Sequence, residues 1–284
     1  MSVRRIYNWK KSDLPQETIN EIRSSPFYSK IMTYNGVHAE LSVPGPSATV
    51  GTSAPLSTAG LPSSVDLRSN CSPVEDQSNL GSCTAHGLAG ALQYLEKKAG
   101  VVPYINLSRL FIYYNERVIE GTTNYDSGAY IHDGIACLVT KGACNETLWP
   151  YTISKYRIKP PSTAYTNGLS HRISQYSYID NTNLTALKTV LANGYPIVFG
   201  FVVYASFESD TVTNTGVVPM PSPQSGDYIL GGHCCLIVGF SDSTSRFLCR
   251  NSWGSSWALS GYFTIPYAYL TDSTLASDFW VIDR

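Results

Sequence analysis

The sequence is poor in charged residues. Only 14% of its 284 residues are charged, against about 25% in an average soluble domain. The 20 basic and 21 acidic side chains nearly cancel, leaving a formal net charge of −1. A protein that binds nucleic acid through its phosphates needs a basic surface. This composition therefore disfavours that class, and we expect no nucleic-acid partner.

Long apolar runs are also missing. No stretch approaches the roughly 18 residues that a membrane-spanning helix needs, so we expect no membrane span. The N-terminal stretch MSVRRIYNWKKSDLP is basic but lacks the apolar core of a secretory signal. The sequence therefore predicts a protein that stays in the cytoplasm or leaves it by a non-classical route.

Cysteine is present, but not in a metal-binding pattern. The seven cysteines include no CxxC pair, so a structural zinc site is disfavoured and we expect no metal or other cofactor. Because seven is odd, at least one sulfur is unpaired within the chain. Cys235 and Cys249 are predicted to lie opposite each other, and two buried thiols are favoured over a cross-strand disulfide, which is usually strained. Cys137 and Cys144 flank the end of a predicted helix, and their pairing is left open.

The composition changes near residue 40. Residues 41–60 contain no charged side chain and are dominated by Pro, Gly, Ser, Thr and Ala, which predicts a loosely structured linker. Residues 1–40 are too few to bury a core alone, so we expect this N-terminal segment to pack against the remainder. The predicted organisation is a segment at 1–40, a linker at 41–60 and a main domain at 61–284.

Hydrophobic periodicity predicts helices first and strands later. The predicted helices cover residues 13–23, 83–100, 107–119 and 131–140. The predicted strands cover residues 196–204, 233–240, 246–252 and 262–265. Helices followed by strands indicate an α+β protein with two packed subdomains and a cleft between them.

The first candidate site is Cys83 in DQSNLGSCTAHG, six residues after Gln77. Ser82 is a capping residue type, so Cys83 is predicted to begin a helix. The helix dipole then stabilises the thiolate, which is the nucleophilic form of cysteine. The free backbone N–H of Cys83 and the side-chain amide of Gln77 are candidate oxyanion donors. The alternative is a buried structural cysteine, which is what most free cysteines are.

The second candidate site is a predicted hairpin, GGHCCLIVGF followed by FLCRNSWG. A turn near residue 242 would place His233 opposite Asn251 or its neighbour, on the same face of the sheet. The Asn251 carbonyl can then orient the imidazole and fix its tautomer. Trp253 falls on that face and can shield the pair from water. The alternative is a histidine satisfied within a sheet.

The other histidines are weaker candidates. His86 lies one helical turn after Cys83 but has no evident orienting partner, so packing beneath the helix is the favoured interpretation. Three more histidines sit in segments without a matching partner, namely His38, His132 and His171.

Together, these motifs resemble the papain-like cysteine peptidases, which use Cys, His and Asn in catalysis. The resemblance covers most of residues 61–284. LPSSVDLR is similar to the start of the mature enzymes, and DQSNLGSC keeps their glutamine-to-cysteine spacing. The remaining motifs follow in family order: LSRLFIYYN, DSGAY, LWPY, GGHCCLIVGF, RNSWGSSW and GYFTIPYAYL.

The resemblance implies a fold and a set of roles. The fold would be a papain-like α+β fold, with a helical left subdomain, a β-barrel-like right subdomain and the active-site cleft between them. Cys83 would be the nucleophile and His233 the base. Asn251 would orient the base, and Gln77 would belong to the oxyanion hole. The backbone of Gly128 would bind an extended peptide, within a largely apolar cleft lined by Ala129, Tyr130, Ile131, Gly200, Cys234 and Trp253.

The chain also departs from the family pattern. Leu80 and Asp126 stand where the family usually has a disulfide-bonded cysteine pair, which implies that this bridge is absent. Thr84 replaces the usual tryptophan after the nucleophile, and Gly232 precedes the histidine where aspartate is frequent. No long helical pro-region motif occurs in residues 1–60, which is similar to bacterial members of the family.

The predicted function is that of a cysteine endopeptidase acting on an extended peptide or protein substrate. An occluding loop of the exopeptidase type would carry paired histidines, and none occur between residues 100 and 128. An endopeptidase is therefore favoured. The N-terminal segment is predicted to act as an intramolecular inhibitor, as in a zymogen. Two alternatives stay open: a catalytically silent peptide-binding module on the same fold, and acyl transfer by the same Cys–His pair.

Overall fold

The computed structural model describes residues 5–39 and 60–284, so nearly all of the predicted linker at 41–60 lies outside the described residues. The helices of the described residues are α1 Gln16–Arg23, α2 Pro26–Ile31, α3 Cys83–Lys98, α4 Arg109–Ile119, α5 Ile131–Thr140, α6 Ser162–Gly168, α7 Leu184–Ala192, α8 Asp210–Thr215 and α9 Tyr267–Leu270. The strands are β1 Trp9–Lys10, β2 Thr33–Tyr34, β3 Val37–His38, β4 Ser64–Asp66, β5 Ala129–Tyr130, β6 Gln175–Ile179, β7 Ile197–Tyr204, β8 Ile229–Ser241, β9 Arg246–Arg250, β10 Tyr262–Pro266 and β11 Ala276–Asp283.

α3 is the central helix and is buried along most of its length. It packs against α4 and α5 and also against β7 and β8, so it joins the helical part to the sheet. The predicted start at Cys83 is confirmed, but the predicted cap is wrong, because the Ser82 side chain bonds no N–H of the first turn. Its hydroxyl instead lies 2.7 Å from the Tyr151 hydroxyl. None of the helices of the described residues has the length and apolar character needed to cross a membrane.

One large antiparallel sheet forms the second half of the fold. Its strand order is β10-β9-β8-β7-β11-β6, and β4 adds to β8 beside this path. The predicted α+β class is confirmed. The expected barrel-like subdomain needs correction, because the two end strands β10 and β6 do not pair and the sheet stays open among the described residues.

The β8–β9 hairpin corrects the predicted register. Ser241 pairs with Arg246, so the turn is centred one to two residues later than expected. A bulge between Ile237 and Gly239 then shifts the register by one residue, back towards the predicted register. β9 ends at Arg250, so His233 has no ladder partner in that strand, and its contact with the residue after β9 is made by side chains alone.

All seven cysteines are free and buried. The buried thiols expected for Cys235 and Cys249 are confirmed, but the two do not face each other, because Cys249 pairs with Ile237. Cys137 and Cys144 are likewise unpaired thiols.

The N-terminal segment packs on the main domain in two parts. α1 and α2 pack on β6 and bury the side chains of Ile19, Phe27, Tyr28 and Ile31. The residues before α1 are extended, and β1 pairs in parallel with β5. This placement follows from size, since so short a segment can bury its apolar side chains only against another surface.

Candidate active site

Cys83 is the first residue of α3 and is fully buried. Its N–H belongs to the first helical turn and has no acceptor within the helix. Burial raises the pKa of the Cys83 thiol to about 12, and the carboxylate of Glu116 adds to this rise. The backbone N–H groups of Cys234, Thr84 and Cys83 itself act in the opposite direction. In this closed arrangement the thiol is therefore protonated.

His233 lies on β8 and is completely buried. Its Nε2 donates to Asn251 Oδ1 at 2.8 Å, and Nδ1 has no hydrogen-bond partner among the described residues. The amide oxygen thus holds the proton on Nε2 and leaves Nδ1 as the basic nitrogen. Trp253 stacks on the imidazole with ring centroids 5.3 Å apart. Burial lowers the pKa of His233 to about 4, although the bond to Asn251 raises it, so the ring is neutral.

A hydrogen-bond network connects Asn251 to Gln77. Asn251 Oδ1 also accepts from the Ser252 N–H at 2.8 Å and from the Cys235 thiol at 3.6 Å. The Ser252 hydroxyl donates to the side-chain oxygen of Gln77. One N–H of the Gln77 amide donates to the Leu80 carbonyl at 3.0 Å. The Gln77 amide is therefore held rigidly, and its second N–H remains available as a donor.

Asn251→Ala is expected to slow peptide hydrolysis, because His233 loses the acceptor that fixes its orientation. The measurement is kcat/KM for Asn251→Ala, His233→Ala and the double variant. Residues that act as a unit are not additive, so the double variant should be no slower than His233→Ala alone. Asn181→Ala is the matched control, because this buried asparagine bonds the Leu270 and Ala276 carbonyls instead. Fully additive losses would contradict the orienting role.

The N-terminal strand lies in the cleft between the helical part and the sheet. β1 pairs with β5 on one wall, and Asn8 forms a bridge with Gly232 on the other. Gly128 has a left-handed φ of 67°, and a Cβ there would lie 1.7 Å from the Asn8 carbonyl oxygen. Only glycine permits this approach. The strand therefore runs where the sequence predicted an extended peptide.

The indole of Trp9 fills a pocket beside this strand. A Cβ on Gly200 would lie 1.9 Å from the ring, and a Cβ on Gly232 would lie 2.7 Å from it. The two glycines thus leave the space that the ring occupies, and Trp9 is only 9% exposed. Of the other predicted cleft residues, Ala129 and Tyr130 pair with β1, while Ile131 and Cys234 are buried nearby.

Carboxylates of the main domain hold residues 5–12 of the segment at four points. Arg5 lies 3.5 Å from the Asp76 carboxylate and also covers the Trp253 ring, at 4.6 Å from its centroid. The other three points are Tyr7 Oη with Glu208, Lys10 Nζ with Glu120, and Ser12 N with Asp278 at 2.7 Å. The edge contact of the Tyr7 ring with His233 completes the cover over the imidazole.

The remaining histidines have structural partners. His86 Nδ1 bonds the Ser82 carbonyl oxygen at 2.9 Å, and its ring packs edge-on against Tyr151, as the packing interpretation expects. His171 bonds Glu96 at 2.7 Å. His132 Nδ1 lies 3.3 Å from the Ser12 hydroxyl.

Glu116 was not found from the sequence. It is fully buried on α4 and accepts a hydrogen bond from the Thr84 hydroxyl at 3.0 Å. Burial raises the pKa of Glu116 well above its usual value. Thr84, the residue that departs from the family, therefore has a polar partner directly behind the candidate nucleophile. In the sequence, Glu116 is a single acidic residue within a predicted helix, so no pattern indicated its contact with Thr84.

Comparisons with known proteins agree with this geometry. A sequence profile described as papain family cysteine protease matches residues 61–278. The uncharacterized peptidase C1-like protein L477 of Acanthamoeba polyphaga mimivirus is 45% identical over 74% of this chain and 69% of its own length. Cysteine proteinase 2 of Entamoeba histolytica is 27% identical over 72% of this chain, which spans 63% of that protein.

Solved structures give the same result. The crystal structure of xylellain, a cysteine protease from Xylella fastidiosa, matches with a TM-score of 0.75 and 40% identity, over 82% of this chain and 90% of that one. The chain therefore belongs to the papain family of cysteine proteases. The predicted enzyme class, a papain-like cysteine-type endopeptidase, is confirmed at the level of the family. The relatives include a viral and a bacterial protein, so the suggested bacterial origin stays a prediction.

Proposed function

We propose that this protein hydrolyses peptide bonds within extended chains by a thiolate mechanism. The observation that carries the proposal is the 2.8 Å bond from His233 Nε2 to Asn251 Oδ1. This bond leaves Nδ1 as the only ring nitrogen able to take up the proton of the Cys83 thiol. The position of Cys83 at the start of α3, where the helix dipole favours the thiolate, supports the same assignment.

The reaction then follows from these groups. His233 Nδ1 takes the thiol proton, and Cys83 attacks the scissile carbonyl carbon. The Cys83 N–H and the free amide N–H of Gln77 stabilise the oxyanion. The C–N bond breaks as His233 returns the proton to the leaving amine. Water, deprotonated by the same imidazole, hydrolyses the thioester and restores the thiol.

A peptide library with mass-spectrometric detection tests this function. We expect cleavage at internal peptide bonds, and alkylation of Cys83 by iodoacetamide that abolishes the cleavage. A silent binding module would bind peptides but cleave none of them. An acyl transferase would convert the acyl group mainly to an amide when a competing amine is added, rather than to the acid.

We also infer that the N-terminal segment restrains the peptidase. The extended residues around β1 lie between Gly128 and Gly232, where the substrate backbone would run. Cys83 and His233 are both completely buried, and Tyr7 of the segment contacts the His233 ring. Burial raises the pKa of the thiol and lowers the pKa of the imidazole. Both shifts disfavour the thiolate–imidazolium pair, so the closed form is blocked electrostatically as well as sterically. Tethering through residues 41–60 keeps the segment at a high effective concentration.

Trp9→Ala in the intact chain is expected to raise activity on a short peptide by about tenfold or more, because a buried indole stabilises the closed form. The rate of Cys83 alkylation should rise in parallel, since solvation lowers the thiol pKa. Tyr34→Ala is the control, because it truncates an aromatic residue of the same segment in β2, outside the cleft. An unchanged rate in Trp9→Ala would show that the segment does not restrain the enzyme.

A further inference from the structure

The wall behind the Trp9 indole is polar at its base. Ser277 of β11 pairs with Gly200 of β7, the glycine whose missing side chain makes room for the indole. Opposed residues in an antiparallel pair share one face of the sheet, so Ser277 faces the same pocket. Its hydroxyl is buried and has no hydrogen-bond partner among the described residues. The pocket therefore offers an unused hydrogen-bonding group.

A β-bulge brings a carboxylate to the same place. The register of β11 against β7 shifts between Ser277 and Trp280. Within this bulge Asp278 has a left-handed φ of 60° and is only 2% exposed. Bulges re-aim side chains, and a non-glycine residue in this conformation is uncommon. The Asp278 carboxylate accepts the Ser12 N–H at 2.7 Å and so faces the N-terminal segment.

The charge of Asp278 is compensated mainly by the N-terminal segment. Burial raises the pKa of Asp278 to about 6, whereas the Ser12 N–H, the Lys11 ammonium and the Trp9 indole N–H act in the opposite direction. The indole N–H lowers the pKa of Asp278 although it forms no hydrogen bond of normal geometry. Asp278 also contributes to the raised pKa of Cys234, the residue after His233, so its field reaches the cleft. When the segment leaves, this buried carboxylate loses these three partners together.

We propose that Asp278, assisted by Ser277, is a specificity-determining residue that selects a cationic substrate side chain, arginine or lysine, in the pocket that Trp9 vacates. This inference rests on the proposed peptidase function. The carboxylate freed by the departure of Ser12 can form a charge-assisted hydrogen bond, so a substrate that supplies a cation is favoured over one that does not. A long aliphatic stem fits beside Gly200 and Gly232, where the indole now lies. Selection of a cation differs from what the largely apolar cleft implied by the family resemblance would favour.

Two peptides that differ only at the residue entering this pocket, arginine or leucine, test the proposal. The measurement is the ratio of their kcat/KM values for the full-length wild type and for Asp278→Asn. Closed molecules cleave neither peptide, so the ratio is independent of the fraction of open enzyme. Asparagine keeps the shape of aspartate and tolerates a left-handed φ, so the variant is expected to fold.

We expect the wild type to cleave the arginine peptide at least as fast as the leucine peptide. Asp278→Asn should lower the arginine-to-leucine ratio by about tenfold or more, as expected when a hydrogen bond to a charged group is lost. Asp180→Asn is the matched control. Asp180 lines the same surface cavity as Asp278, and the substitution removes the same charge, but the Asp180 carboxylate bonds Thr182. Its ratio should stay within about threefold of the wild type, as for a partly exposed charge.

Each other outcome has a definite meaning. An unchanged ratio in Asp278→Asn, with the leucine peptide still cleaved, overturns this inference and leaves the peptidase function standing. An equal fall in Asp180→Asn shows a general charge effect and also overturns it. Cleavage of neither peptide, even in the Trp9→Ala background, refutes the proposed function and this inference with it.

Discussion

Cys83→Ala is expected to abolish peptide hydrolysis, with a loss of about 10⁴-fold or more, and to leave the fold intact. In the proposed mechanism the thiol sulfur attacks the carbonyl, and alanine cannot replace it. Alanine is also the best helix former, so α3 should still begin at residue 83. The neighbouring thiols of Cys234 and Cys235 are poor substitutes, because both lie within β8 and not at the start of a helix, where the dipole favours the thiolate.

The measurement is kcat/KM for a peptide that the wild type cleaves, with circular dichroism as the check on folding. Cys249→Ala is the matched control, since it removes another buried free thiol that lies on β9. We expect this control to keep its activity. Substantial turnover by pure Cys83→Ala protein would show that the nucleophile is another group.

Gln77→Ala is expected to lower kcat by roughly 10²- to 10³-fold, the usual loss when one oxyanion donor is removed. KM should change little, because the oxyanion exists only in the transition state. Gln77→Glu is a sharper variant. It keeps the size of the side chain and an oxygen for the Ser252 hydroxyl, but it removes both amide donors. We therefore expect it to lose at least as much activity as the alanine variant.

Ser252→Ala separates donation from positioning. This variant removes the hydroxyl that holds the Gln77 amide, yet the amide N–H groups remain. Its loss in kcat should be clearly smaller than that of Gln77→Ala. A loss below about threefold in both Gln77 variants would mean that other donors carry the oxyanion.

The helix bounds show how far local pattern determines structure. The predicted helix at 131–140 is found with both of its bounds, because its apolar periodicity is strong and continuous. Ser82, in contrast, was predicted to cap α3 but bonds Tyr151 instead. Tyr151 is distant in sequence, and no spacing rule relates the two residues. A capping residue type indicates where a helix begins, but its side chain takes whichever partner the tertiary fold provides.

The hairpin shows where spacing fails. The two-residue periodicity of strands predicted that His233 and Asn251 lie close together, and their side chains do form a hydrogen bond. The register itself was wrong, because the turn is centred later than predicted. The bulge between Ile237 and Gly239, which local pattern does not reveal, removes only part of this difference. Gly239 lies where β4 pairs with β8, and a Cβ there would lie 2.2 Å from the Val65 carbonyl oxygen. The bulge therefore lies where a third strand, β4, pairs with the hairpin.

The sequence by itself determined the candidate catalytic residues of this protein. Cys83 lies close to Gln77 in one short segment, and His233 lies close to Asn251 in one hairpin, so local geometry largely fixes each pair. Only the tertiary structure decided what occupies the cleft and what lines its floor. Trp9, Gly200 and Asp278 meet across almost the whole chain, and Asp278 is turned inward by a bulge. Such contacts depend on the packing of distant elements, which hydrophobic periodicity does not encode.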